Sequence, residues 1–234
     1  RTPSQVIDEV SYLKEKYGIK GLNLRDEIAI PLKPETAQSH LNAIKKCEVI
    51  WRGQTKVGST RSKMVTREII KLASDSGCVE LAIGVESASQ QVMDIVDKRQ
   101  SIEQVKIFIR ECHKCDIKIK MCLILGLPGE PENIVELTKA FIEETRPDYV
   151  NVSGFCPMPG SPIFNDPSKY GIEKLSRNWK EYAHLMYRFS DKDSFGLPFE
   201  YKKNTPWGRG FSKSEIIENI QQIQHYLREN MMCY

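Results

Sequence analysis

The chain has no run of about 18 apolar residues, so no membrane-spanning helix is expected. Its opening residues, Arg1-Thr2-Pro3-Ser4, are polar and do not read as a secretory signal. Neither sign of charge dominates: 34 basic and 31 acidic residues leave a net charge of +3. That balance gives no basic patch of the kind nucleic-acid proteins carry, and nucleic acid is a disfavoured partner. Histidine is scarce, and His40, His113, His184 and His225 are dispersed. No C-x3-C-x2-C, G-x-S-x-G, P-loop or H-E-x-x-H occurs, and neither does an internal repeat or a low-complexity run. The 7 cysteines are odd in number and scattered, which excludes a simple disulfide framework and fits a reducing, cytoplasmic compartment. Cys112-His113-Lys114-Cys115 has CxxC spacing, but it lies on an amphipathic helix behind Phe108 and Ile109 and has no second pair at zinc spacing, so no metal ligand is assigned.

Hydrophobic residues make up 40% of the 234, enough for a core. Ser4 is placed as the cap of a helix running through Val6, Val10 and Leu13 to Tyr17-Gly18. Strands are expected at 19–24, 48–52, 79–84, 118–125 and 148–155. Helices separate them: one opened by Pro34, one over Met64 to Ser76, two at 88–97 and 102–114, and one started by Pro131. The alternation repeats at roughly thirty residues, the mark of βαβ units and a parallel sheet. The leading helix wants a strand before it, and the abrupt start suggests a piece of a longer protein. After Pro162 the pattern changes. A helix is expected over Leu175 to Phe189, a long loop over 191–211, and a final helix from Ser212 to Glu229 with Glu215 completing a capping box. The domains are accordingly 1–165 and 166–234.

Small and polar residues collect at the C-terminal strand ends, where ligands sit in α/β barrels and open sheets. Glu86 and Ser87 could meet an ammonium group or a ribose diol; alternatively Ser87 or Ser89 caps the next helix and Glu86 takes a backbone N–H. Asp26-Glu27 beside Arg25 could do the same or form a surface ion cluster. Gly126-Leu127-Pro128-Gly129-Glu130 admits a close ligand approach, or is a tight turn whose acid favours the next helix N-terminus. Pro157-Met158-Pro159-Gly160-Ser161-Pro162 is either a chain reversal or a ligand contact.

Together these phrases, with Pro3-x-x-Val6-x-x-Glu9-Val10 and Tyr17-Gly18-Ile19-Lys20, resemble the radical S-adenosylmethionine (radical SAM) enzymes over residues 1–165. The likeness is to the branch linked to a cobalamin-binding domain, with the methylthiotransferases as near relatives, and Trp179-x-x-Tyr182 adds to it. The resemblance implies a partial (β/α)6 TIM-like barrel lacking its first strand, with a C-terminal helical extension. It implies that Asp26 and Glu27 receive the SAM amino group, that Glu86 and Ser87 serve the ribose and amino region, and that Lys98 meets the SAM carboxylate. It further implies that Leu123, Ile124 and Gly126 pack on adenine, and that Asn151, Ser153 and Phe155 line the adenine or substrate.

One departure matters. The family holds a 4Fe–4S cluster through C-x3-C-x2-C, and thiolates are the ligands such a cluster needs. This chain lacks the motif, so the cluster and any cobalamin are expected to be held outside it, and the chain alone is expected not to cleave SAM reductively. The parent is expected to act on an organic substrate, with an electron donor, by radical methylation or rearrangement. Two other readings stay open: a degenerate barrel that only binds, and a non-radical barrel hydrolase or aldolase using Asp26, Glu27 and Glu86. Phe199, Tyr201 and Trp207 are candidate substrate contacts or packing anchors.

Overall fold

The computed structural model describes residues 1–58, 65–182 and 196–232. The first helix, α1 (Pro3–Tyr17), begins two residues before the expected start. Thr2 rather than Ser4 is its cap, because Thr2 and Gln5 close a capping box that Ser4 and Ile7 cannot form. Pro3 fits the first turn, where its missing N–H would be unpaired in any case. Gly18 ends the helix in the left-handed region at φ 64°.

Strand and helix then alternate: β1 (Gly21–Asn23), α2 (Pro34–Lys46), β2 (Ile50–Thr55), α3 (Arg67–Asp75), β3 (Cys78–Glu86), α4 (Gln90–Ile95), α5 (Ile102–His113), β4 (Lys118–Leu125), α6 (Ile134–Thr145) and β5 (Tyr149–Gly154). The strands form one parallel sheet in the order β1-β2-β3-β4-β5. Sequential order with helical crossovers is what right-handed βαβ connections produce. β2 runs beyond the expected Arg52 because Gln54 and Thr55 pair with Ala82 and Ile83, a tertiary contact that overrides the weak strand preference of Gly53 and Gln54. The Trp51 indole N–H donates to the Ser76 carbonyl at 3.1 Å, fixing β2 to the end of α3. α3 is capped by Thr66, and Met64, its expected start, lies outside the described residues. Pro131 does not start α6, which begins at Ile134 behind Asn133 and leaves Glu130 in the preceding turn.

Beyond β5 come α7 (Pro162–Asn165), a 3-10 turn at Pro167–Tyr170, β6 (Ile172–Leu175), a second 3-10 turn at Trp179–Tyr182, β7 (Phe199–Tyr201), β8 (Asn204–Thr205), β9 (Gly208–Arg209) and α8 (Lys213–Glu229). The helix expected from Leu175 is absent among the described residues, since Leu175 instead pairs with Phe199 in the antiparallel β6–β7 ladder. That partner is distant in sequence, and local periodicity carries no trace of it. Residues 183–189 of that expected helix lie outside the described residues. The stretch expected as loop holds β7, β8 and β9. The final helix has the expected Ser212–Glu215 capping box. Its buried side, Ile216, Ile220, Ile223 and Leu227, belongs to a helix that packs on β5 and α6.

The chain divides into two compact units, Arg1–Gly84 with Arg99–Met121, and Val85–Lys98 with Cys122–Tyr234. Among the described residues, no helix is long and apolar enough to cross a membrane.

Candidate functional site

The second unit contains a cavity of about 290 Å³ whose walls include Ile124, Leu127, Phe155 and Met158 and whose charged groups are Glu86 and Lys98. The volume is near the lower end of ordinary ligand pockets, roughly 300–1,000 Å³. Lys98 Nζ lies 2.6 Å from Glu86 Oε1, with the side chains 16% and 23% exposed. A pair this sheltered gains little net stability, because desolvation offsets the attraction, whereas removing one partner strands the other charge. Both supports are strained: Glu86 sits at φ 72° and Asp97, just before Lys98, at φ 52°. Non-glycine residues there cost about 1–3 kcal/mol and cluster at functional sites. The serine cap is present: Ser89 caps α4 by accepting from the Val92 amide, and Ser87 Oγ accepts from the Ser89 amide.

The turn after β4 is built around a buried acid. Glu130 is 8% exposed, and its Oε1 accepts from the amides of Gly126 at 2.8 Å and Leu127 at 3.1 Å. Among the described residues, Glu130 Oε2 is buried with no hydrogen-bond partner. Burial pushes the Glu130 carboxyl up to about 8, against the lowering effect of the two amide donors. The carboxylate therefore folds back onto its own turn instead of serving the α6 N-terminus. Gly126 is at φ 86°, and a Cβ there would lie 2.7 Å from Ile216 Cγ2. The Tyr201 hydroxyl donates to the Gly126 carbonyl at 2.9 Å, and desolvation raises that hydroxyl well above its ordinary value.

At the end of β5, the Phe155 amide donates to the Leu125 carbonyl at 2.7 Å, which ties the two strand ends together. Cys156 also lines the cavity, and its thiol lies 3.5 Å from the Tyr182 carbonyl. The Pro157–Pro162 stretch supplies a wall, Met158, and a cap, since Ser161 accepts from the Phe164 amide to start α7. Phe199 is a packing anchor, 1% exposed and edge-on to Phe155 at 5.2 Å. Trp207 lies beside Gly129, where a Cβ would come within 3.5 Å of its ring.

The first unit has its own cavity of about 510 Å³, walled by α1, β1 and α2 residues and including Asp26 and His40. Asp26 and Glu27 are both exposed.

A family model described as the radical SAM superfamily matches residues 1–142. The chain belongs to the radical SAM superfamily. An anaerobic magnesium-protoporphyrin IX monomethyl ester cyclase of Cereibacter sphaeroides is 30% identical over 173 residues, covering 71% of this chain and 27% of that protein. A bacteriochlorophyllide d C-12(1)-methyltransferase of Chlorobaculum tepidum is 25% identical over 191 residues, 80% of this chain and 40% of that protein. The chain thus spans less than half the length of these curated relatives, which are enzymes. In structure it is similar to the radical SAM methyltransferase TsrM of Kitasatospora setae, solved with cobalamin and a 4Fe–4S cluster, at TM-score 0.60 and 18% identity over 73% of this chain and 34% of that one. It is also similar to the cobalamin-dependent radical SAM enzyme OxsB, at TM-score 0.52 and 13% identity over 99% of this chain and 32% of that one. These likenesses bear on the fold, a partial radical SAM barrel.

Set against the radical SAM reading of the sequence, the cavity gathers Glu86, Lys98, Ile124 and Phe155. Leu123 and Ser153 are buried and Asn151 is half-buried, but none of them lines it, and neither do Ser87 or Gly126. Strand pleat explains the split within β4: Ile124 and Leu123 face opposite sides. Leu127, Cys156 and Met158 were not singled out as contacts, although all three follow directly from the strand ends. The donor set does not fit an iron–sulfur cluster. Among the described residues, no group of three His, Cys, Asp or Glu could hold a metal ion. Burial pushes the Cys78 thiol up to about 12 and raises that of Cys112 further, away from the thiolate a metal needs.

Proposed function

We propose that the cavity at the ends of β4 and β5 receives SAM, and that the chain is the SAM-holding part of a radical enzyme that methylates or rearranges a small organic substrate. The observation that carries this reading is the Glu86–Lys98 pair, a close acid and base standing alone in an otherwise apolar cavity of a radical SAM chain. Such a pair complements a zwitterion: the amino acid ammonium takes Glu86 while its carboxylate takes Lys98. Each charge keeps a partner on binding, so neither pays an unmatched desolvation. Ile124 and Leu127 offer the apolar surface an adenine ring wants, and Phe155 and Met158 narrow the wall that keeps water out. The resemblance also assigns Asp26, Glu27, Ser87, Leu123, Gly126, Asn151 and Ser153 to SAM, but none of them lines this cavity.

When bound, SAM would supply a carbon-centred radical on taking one electron from a cluster, or a methyl group to a nucleophilic carrier such as cobalamin without one. Among the described residues, none fits the cluster. An organic substrate, an external electron donor, cobalamin held outside this chain and a cytoplasmic location complete the reading.

Titration calorimetry with S-adenosylhomocysteine tests the pocket without any cluster. The wild-type chain binds, and Lys98→Met weakens binding about ten- to a hundredfold, the worth of a hydrogen bond to a charged group. No binding by the wild-type chain would defeat the reading. In a second test, the chain reconstituted with iron, sulfide and dithionite gives no 5′-deoxyadenosine from SAM by chromatography. Turnover would show that its cysteines do assemble a cluster.

A further inference from the structure

We propose that Tyr201, through its hydroxyl on the Gly126 carbonyl, is a positioning residue that sets the floor of the SAM cavity from outside it. The proposal rests on the reading that this cavity receives SAM. Tyr201 does not line the cavity, so it acts on the ligand only through the turn it holds.

Three contacts meet at that turn. Glu130 takes the Gly126 and Leu127 amides from within the turn itself. The Phe155 amide takes the Leu125 carbonyl from β5. Tyr201 takes the Gly126 carbonyl at 2.9 Å from 75 positions away. Gly126, at φ 86°, has no side chain to limit rotation of the planar peptide that follows it, so that peptide is held from its two sides, its Leu127 N–H by Glu130 and its Gly126 carbonyl by Tyr201. Ile124 and Leu127 flank that peptide, and both are cavity walls.

The strand that carries Tyr201 reaches the second wall as well. Phe199 stands edge-on to Phe155 at 5.2 Å and to Tyr201 at 5.1 Å. β7 therefore holds the ends of both β4 and β5 with two residues, Phe199 and Tyr201, that share one face of the strand. It lies beyond residues 1–142, the part matched by the superfamily model.

The test is Tyr201→Phe, which deletes one oxygen, set against Tyr226→Phe, which deletes the hydroxyl that contacts Glu143 elsewhere in the same unit. Three quantities are read: the dissociation constant for S-adenosylhomocysteine, the melting temperature, and hydrogen exchange at the Gly126 and Leu127 amides. Tyr201→Phe is expected to weaken binding about five- to tenfold and to speed exchange at those two amides about tenfold, the worth of one neutral hydrogen bond. Tyr226→Phe is expected to leave both within twofold of wild type. If Tyr201→Phe lowers the melting temperature but leaves affinity within twofold, Tyr201 is a packing residue and the proposal falls. Unchanged amide exchange also overturns it. Should Tyr201→Phe fail to fold, Phe199→Leu carries the same comparison through the Phe155 contact. Failure of the wild-type chain to bind defeats the SAM reading and this proposal together, whereas normal wild-type binding with an indifferent Tyr201→Phe defeats this proposal alone.

Discussion

Glutamine in place of Glu130 will flatten the dependence of stability on pH between about 5 and 9, a range over which the wild-type chain loses stability as pH rises. The folded carboxyl is pushed up to about 8 by burial, while an unfolded glutamate titrates near 4.3. A folded value above the unfolded one means the native state holds the proton more tightly. The stabilisation is present in full below about pH 4 and is lost as pH climbs through about 8. The ceiling for such a shift is on the order of 4–5 kcal/mol, and a few kcal/mol is the expected reading. The nearby ionisable groups do not offset this: Tyr201 is held protonated, and Arg209 is committed to Glu132 and Glu215. Glutamine keeps an oxygen for the Gly126 and Leu127 amides and carries no charge. Urea midpoints of wild type and Glu130→Gln at pH 5, 7 and 9 measure the difference. A parallel slope in both proteins would show that Glu130 ionises freely in the native state. Glu130→Ala is harsher, since it leaves two buried amides without an acceptor at about 1–3 kcal/mol each.

Valine at Gly126 is expected to cost a comparable amount. A side chain at φ 86° meets a backbone penalty of about 1–2 kcal/mol. The Cβ would also stand 2.7 Å from Ile216 Cγ2, and relieving such overpacking costs about 1–3 kcal/mol more. Ile216 is 1% exposed on α8, so it has little freedom to yield. The expected outcome is a loss of about 2–5 kcal/mol in urea unfolding, together with loss of S-adenosylhomocysteine binding. Ile216→Ala in the same chain should restore part of the stability, and no recovery would place the penalty in the backbone alone.

Local signals made some elements legible and left others hidden. β4 has the expected bounds because its burial alternates along its length and a glycine closes it. α8 was legible from Ser212 and Glu215 three residues apart. The same spacing, Thr2 with Gln5, marked the start of α1, and attention to it would have displaced Ser4. β6 and β7 left no local mark, since Leu175 and Phe199 find each other across 24 positions. At the site, Glu86 and Lys98 were both chosen from the sequence, but their 2.6 Å pairing involves positive-φ backbone at Glu86 and Asp97, on either side of α4, that no periodicity reveals. Glu130 was misread because Pro131 looked like a helix start. With α6 delayed to Ile134, the acid had only its own turn to satisfy. Leu123 and Ile124 could not be separated by resemblance, since only the pleat assigns them to opposite sides.

β5 is the last strand of the parallel sheet, and its Val150 amide donates to the Met232 carbonyl at 2.9 Å. The tail after α8 therefore occupies part of a border that would otherwise offer free main-chain groups to another molecule. Trimming the chain back to Ser212, as a design seeking a minimal barrel would do, removes that guard and invites self-association through β5.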